Sequence, residues 1–359
     1  MRSRAGCDNP ASDPATAGRD TLRCLEITGA GAVTGGDELL AGTASAWLDG
    51  KLRTSDGGRE MRFGIAEMSG MALTRSLGGG GSAEELVAAV TGFDRIKSVR
   101  ELAAEGFDLI ELGGDLSLFF PHAYSPETIA GLATLRDELG IAYTVHLPLW
   151  SVEPSSPLGP VRRGAVEAVV ETIRATAPLD PEVYVLHATN ALAAEFYRMR
   201  MAEAARPMVL GIFADHAVRS LGEIVTATGI DPRRLAVETV EFPFDLTLGI
   251  AEAAGVSMCF DTGHVLVGFS GPVDLFEALD RTLPHLAEVH LHDGPWQGPD
   301  HTVGYGQDHR PLGHGDLDVG RFLARLDGEG FAGPIIFELP VEGARESLAR
   351  IGEMGAGGA

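Results

Sequence analysis

Short, nearly continuous apolar runs recur along the chain, separated by longer stretches with a helical spacing of apolar positions. The runs predict strands at Arg62–Ala66, Phe107–Leu112 (F-D-L-I-E-L), Ile141–Leu147 (I-A-Y-T-V-H-L) and Glu182–His187 (E-V-Y-V-L-H). Four more follow at Leu235–Thr239, in the first part of Val256–His264 (V-S-M-C-F-D-T-G-H), at Ala287–His292 (A-E-V-H-L-H) and at Pro334–Leu339 (P-I-I-F-E-L). Helices are expected between them. One runs from an N-cap at Ser82 to about Ala104, and one opens at Ser125-Pro126 and ends at Leu139. Others cover about 161–177, 192–228 with a break near Pro207, 244–254, 272–283, 317–329 and 342–354.

Strand and helix thus alternate eight times between residues 61 and 354, the pattern of a parallel (β/α)8 TIM barrel. A doubly wound open sheet would want G-x-G-x-x-G after its first strand, and that motif is absent. Residues 61–359 are therefore assigned to a TIM-barrel catalytic domain. Residues 1–60, rich in Gly, Ala, Ser, Thr and Asp, are read as a disordered or misassigned N-terminal extension. The G-G-G-G run at 78–81 lacks the Lys-Ser/Thr of a phosphate loop and is expected to be a flexible connection.

Charge narrows the partners. The chain has 359 residues with 28 Lys+Arg against 51 Asp+Glu, a formal net charge of −23. A protein that binds nucleic acid without reading its sequence needs a basic face. No nucleic acid is expected, therefore, and a small-molecule substrate is. No apolar run is long enough to span a bilayer, and no apolar segment follows the basic first residues, so neither a membrane nor a secretory signal is expected. Three cysteines make neither a disulfide framework nor a zinc ribbon, and a reducing, cytoplasmic setting is expected.

Candidate chemistry gathers at the C-terminal ends of the strands, where barrel enzymes keep their active sites. In chain order these ends carry His146, His187, Glu238, Asp261 with His264 beyond it, His290, and Glu338; Asp308 and His309 come from the loop after the seventh strand. Singly, a strand-end histidine is more often structural, and Asp261 reads equally as a helix cap. Jointly, several carboxylates aimed at one mouth need countercharge, and no Lys or Arg ends these strands. Divalent ions of the zinc or manganese class would supply it. His292 follows His290 by two residues on the same face and is assigned to support the site and its substrate. Glu241 and Asp293 are read as caps or surface residues, and His314 is given no role.

The segments V-H-L-P at 145–148, E-T at 238–239, D-T-G-H at 261–264, H-L-H-D at 290–293, D-H-R-P-L-G-H-G at 308–315 and F-E-L at 337–339 resemble the xylose-isomerase-like TIM barrels. That superfamily includes sugar and sugar-phosphate isomerases and epimerases and the endonuclease-IV-type (AP endonuclease family 2) phosphodiesterases. For a single-metal isomerase or epimerase, the resemblance implies four ligands, Glu238, Asp261, His290 and Glu338. Glu238 and Glu338 would then shuttle a proton at carbon. For the endonuclease type it implies two or more ions and further ligands at His146, His187, His264, His309 and an acidic residue two before that last histidine. The acidic position is Gln307 here, with Asp308 one residue later, a departure that bears on a third ion.

Histidines at the third and fourth strand ends are required by a multi-metal hydrolase and dispensable in a single-metal isomerase, although a substrate-binding histidine there is common in the latter; the requirement favours phosphodiester hydrolysis. V-H-L-P after Tyr143-Thr144, V-L-H at 185–187 and the Asp-His before Leu-Gly are similar to cobamide-remodelling phosphodiesterases, which cut the nucleotide loop of corrinoids. The expectation is a metal-dependent phosphodiesterase acting on a small phosphorylated molecule such as a corrinoid, with the isomerase or epimerase as the alternative. Arg310 either steadies a phosphate oxygen or is a solvated loop residue. Trp150, with Phe119, Phe120, Tyr124 and Trp296, either meets an apolar substrate group or packs as a lid.

Overall fold

Eight short strands pair in parallel and close on themselves in sequence order. They are β1 (Arg62–Ala66), β2 (Leu109–Gly113), β3 (Ala142–His146), β4 (Tyr184–Leu186), β5 (Leu235–Glu238), β6 (Ser257–Asp261), β7 (Leu286–His290) and β8 (Pro334–Phe337). The computed structural model describes residues 61–70, 92–297 and 303–356. The 1–60 extension, the G-G-G-G run and the start of the helix expected from Ser82 lie outside them.

Alternation along each strand divides the side chains into two environments. Outward-facing residues such as Ile110, Tyr143, Val145, Leu186, Val237, Phe260, Val289 and Phe337 pack against the surrounding helices through Val99, Leu132, Val169, Leu221 and Phe322, all buried in one apolar layer. Inward-facing residues fill the barrel. Apolar inward residues form two clusters, Ala66, Leu109 and Ile336 in one and Val183, Val185, Ala236 and Cys259 in another. At the C-terminal ends of β3 and β5–β7 the inward positions are polar. A register shift at Met258/Cys259 offsets β6 against β7 just below Asp261.

The helices follow their local signals. Ser125 accepts a hydrogen bond from the Thr128 amide, with proline in the first turn, and the helix Pro126–Leu139 stops at Gly140 in the left-handed region. The segment expected over 192–228 is two helices, Ala191–Arg198 and Arg206–Thr228, and Pro207 opens the second where its missing amide proton costs nothing. The helix ending at Ala104 begins only at Arg95, where Asp94 caps the Lys97 amide, so a continuous helix from Ser82 is not formed. No helix among the described residues is long and apolar enough to cross a membrane.

One buried ion pair braces the mouth of the barrel. Glu67, immediately after β1, and Arg95 are both shut off from solvent, 2.8 Å apart. Arg95 also donates to the Ala123 carbonyl and packs over the Tyr124 ring, while Tyr124 donates to the Gly113 carbonyl at 2.7 Å. This arginine is thereby committed to Glu67 and the loops after β1 and β2. Removing one partner of such a pair leaves a buried charge alone. Arg95→Ala is expected to lower unfolding free energy by about 3–5 kcal/mol; denaturant titration checks this, and a loss below about 1 kcal/mol would contradict it.

Candidate metal centre

Glu238, at the end of β5, is almost wholly buried, and both of its carboxylate oxygens face imidazoles. Oε2 lies 3.1 Å from His146 Nε2 and 2.9 Å from His187 Nε2. Oε1 lies 3.3 Å from His264 Nδ1 and 3.4 Å from His290 Nδ1. His146 comes from the last position of β3, and His187 follows β4 directly. The His146 Nδ1–H donates to the Leu147 carbonyl at 3.0 Å, so in the neutral ring Nε2 is the atom left to bind.

Asp261 uses its two oxygens differently. Oδ1 accepts from the His264 amide at 2.7 Å and caps the short helix Thr262–Leu266, while Oδ2 meets His292 Nε2 at 2.9 Å. Asp261 thus caps this helix with one oxygen and meets the histidine cluster with the other. His292 is fully buried; its Nδ1 accepts from the His309 amide at 2.9 Å, which leaves Nε2–H to hold Asp261. A Cβ on Gly263 would sit 2.1 Å from His292 Nδ1, so only glycine lets this ring reach the aspartate.

His290 is the strongest indication that the group is built around a cation. Its Nδ1 is buried without a hydrogen-bond partner, yet lies 3.4 Å from Glu238 Oε1, 3.8 Å from Asp261 Oδ2 and 3.6 Å from Glu338 Oε2. An unpaired ring nitrogen facing three carboxylates is a donor set for a divalent ion. Ligand atoms of Glu238, Asp261, His290 and Glu338 lie within 4.8 Å of one another, and so do those of His146, His187 and Glu238. The two sets share Glu238. His264, His292 and His309 form a third such group.

Around this third group, Asp308 Oδ2 lies 2.9 Å from His309 Nδ1 and 3.7 Å from His264 Nε2. His309 Nε2 reaches Glu338 Oε2 at 3.2 Å. Gln307 is exposed and bonds Arg310, so the acid facing these histidines is Asp308. His309 holds a left-handed backbone (φ 57°), strained for a non-glycine residue, and both its ring nitrogens are anchored.

The electrostatics follow from burial opposed by close charge. Burial lowers the pKa of His146 and His264, but Glu238 and Asp261 beside them prevail and raise both to about 9. Burial likewise opposes His309, which hydrogen bonds to Asp308 and Glu338 raise to about 11. Burial pushes Glu238 and Glu338 up, yet the adjoining histidines hold both carboxyls well below their usual range. Without metal, the imidazoliums themselves balance the acids.

The remaining residues singled out in the sequence lie apart from this contact network. Arg310 donates to the His314 carbonyl and to Gln307, and its backbone pairs with Asp293. Asp293 is fully buried and orders the loop by accepting from the amides of Gly294, Gly313 and Leu317. Trp150 is exposed, edge-on to exposed Phe119, and its amide donates to Asp115. Trp296 is also exposed, whereas Phe120 is buried and half-buried Tyr124 packs under Arg95 in the loop after β2. Two residues that sequence reasoning passed over, Glu111 and Glu288, lie directly behind His290. Their signal was present: both alternate inward with residues at the site.

A family model described as xylose isomerase-like TIM barrel matches residues 99–354, and the chain belongs to this family. It is similar to uncharacterized protein MJ1311 of Methanocaldococcus jannaschii, with 26% identity over 67% of this chain and 78% of that one. Among solved structures it is similar to a D-tagatose 3-epimerase-like protein (21% identity, TM-score 0.59), covering 82% of this chain and 97% of the other. It is also similar to endonuclease IV from Thermus thermophilus (18% identity, TM-score 0.53), covering 74% and 95%. At these identities the two structures share the fold.

Two opposite pH dependences are expected. A histidine whose folded pKa is raised stabilises the metal-free protein below the ordinary value of 6.5, and that contribution is lost as pH rises through about 9 for His146 and His264. The melting temperature of metal-free protein should thus fall across this window. Zinc affinity should rise across it, because binding displaces those protons. Thermal scans and zinc titrations from pH 6 to about 9.5 check both; a melting temperature that rises through the window would contradict the first.

Proposed function

We propose that the chain is a divalent-metal-dependent phosphodiesterase acting on a small phosphorylated molecule. The observation that carries this reading is the pair His146 and His187 on Glu238 Oε2, at 3.1 and 2.9 Å. This makes a second donor set beside Glu238, Asp261, His290 and Glu338. A single-metal isomerase does not need these two imidazoles as ligands and would use them only to bind substrate.

In this reading Glu238 joins the two sets, His146 and His187 complete one, and Asp261, His290 and Glu338 complete the other. When bound, the ions would lower the pKa of water and polarise a phosphoryl oxygen. Burial of Glu238, Asp261 and His290 keeps bulk water from competing for these donors. His292 holds Asp261, and Asp308 and Glu338 hold His309 through its two ring nitrogens. Exposed Trp150 and Phe119 offer an apolar or planar part of the substrate a surface to lie on. The net charge of −23 disfavours a polyanionic nucleic acid. A corrinoid nucleotide loop fits both features and belongs in the substrate panel.

Wild-type protein is expected to retain two or more zinc- or manganese-class ions per chain and to turn over bis(p-nitrophenyl) phosphate. His187→Ala should reduce that turnover by about a hundredfold or more. One retained ion, turnover indifferent to His187→Ala, and solvent deuterium uptake into a ketose would instead support the single-metal epimerase, with Glu238 and Glu338 moving the proton.

A further inference from the structure

Beneath the strand-end residues the barrel holds two carboxyl groups that the proposed reaction does not use. Glu111 points inward from β2, and Glu288 points inward from β7, two residues before His290. Both are completely or almost completely buried. Apolar side chains line the barrel around them: Ala66, which pairs with Glu111, with Leu109 and Ile336, and Cys259, which pairs with Glu288, with Val185 and Ala236. Burying carboxyl groups in such surroundings is costly and calls for a partner.

Their partners point to what they do. His290 Nε2 lies 3.3 Å from Glu111 Oε2 and 3.8 Å from Glu288 Oε1. Thr144 Oγ1 donates to Glu288 Oε1 at 3.2 Å and fixes that group from β3. Burial and the neighbouring Glu111 push the Glu288 carboxyl well above its usual range, and a hydrogen bond joins the two acids; Glu111 Oε1 and Glu288 Oε2 find no N–H donor among the described residues. The opposite edge of the same imidazole carries the unpaired Nδ1, turned toward Glu238, Asp261 and Glu338. One ring edge thus faces Glu111 and Glu288, and the other faces Glu238, Asp261 and Glu338.

We propose that Glu111, with Glu288 behind it, is the positioning group for His290. It accepts the Nε2–H, and so fixes the tautomer and rotation that present Nδ1 to a bound ion. This rests on the metal-centre reading above. A carboxylate behind a ligating imidazole also makes the ring a better donor, and loss of such a partner typically weakens metal binding about 10–100-fold. The arrangement explains why β2, which supplies none of the strand-end ligands, nevertheless carries a buried acid facing the site.

Zinc affinity measured by competition with a chelating indicator tests the inference on the full chain. Glu111→Leu and Glu288→Gln should weaken one zinc about 10–100-fold and about threefold or more, respectively. Glu111→Gln, whose amide oxygen still accepts from Nε2–H, should fall between wild type and Glu111→Leu. The melting temperature of metal-free Glu111→Leu should fall, because buried His290 loses a facing carboxylate, so affinity is read where circular dichroism shows the variant folded. A residue holding only the fold would lose stability while the folded protein kept its zinc affinity. Nitrogen-15 spectra of histidine-labelled, zinc-loaded wild type read the same point without substitution. The expected result is a protonated Nε2 on His290, and a protonated Nδ1 overturns the proposal. Wild type that retains no zinc removes both this inference and the metal centre. Wild type that binds zinc, with all three variants within about twofold of it, removes this inference alone.

Discussion

The site depends on one buried carboxylate. Glu238 has imidazoles on both oxygens, His146 and His187 at Oε2 and His264 and His290 at Oε1, all within 3.4 Å. Those histidines come from β3, from the residue after β4, from the short helix after β6, and from β7. Only a closed parallel barrel brings these ends around a common centre, so the fold and the site are specified together. The apolar layer between strands and helices supplies the rigidity that holds them there.

Charge balance explains much of the rest. Glu238, Asp261, Glu338 and Asp308 stand close together, and the buried arginine at this end, Arg95, is committed to Glu67. What neutralises the acids in the metal-free chain is a set of protonated histidines, which is why their pKa values rise despite burial. Protons and metal ions then compete for the same donors.

Much of this was legible in the sequence, for a specific reason. A strand buried on both faces reads as an apolar run, so a polar residue at its end stands out, and His146, Glu238, Asp261, His290 and Glu338 were all visible that way. Glu111 and Glu288 were not, because they sit inside the runs, in F-D-L-I-E-L and A-E-V-H-L-H, where a polar residue passes for an interruption. Counting inward parity back from His290 would have exposed Glu288. The commitment of Arg95 to Glu67 depends on a contact between residues 28 apart and leaves no local mark. Arg310 stood beside His309 in sequence, yet its guanidinium binds within its own loop. Adjacency along a loop says little about where a long side chain reaches.

In the proposed function, the reaction turns on how many cations Glu238 would hold together. Anomalous diffraction at the zinc edge, from crystals of zinc-loaded protein, answers this directly. The account predicts two peaks about 3.5–4 Å apart, one on each side of the Glu238 carboxylate. One peak would lie beside His146 and His187, the other among Asp261, His290 and Glu338. A single peak at the second position, with His146 and His187 bare, would contradict it.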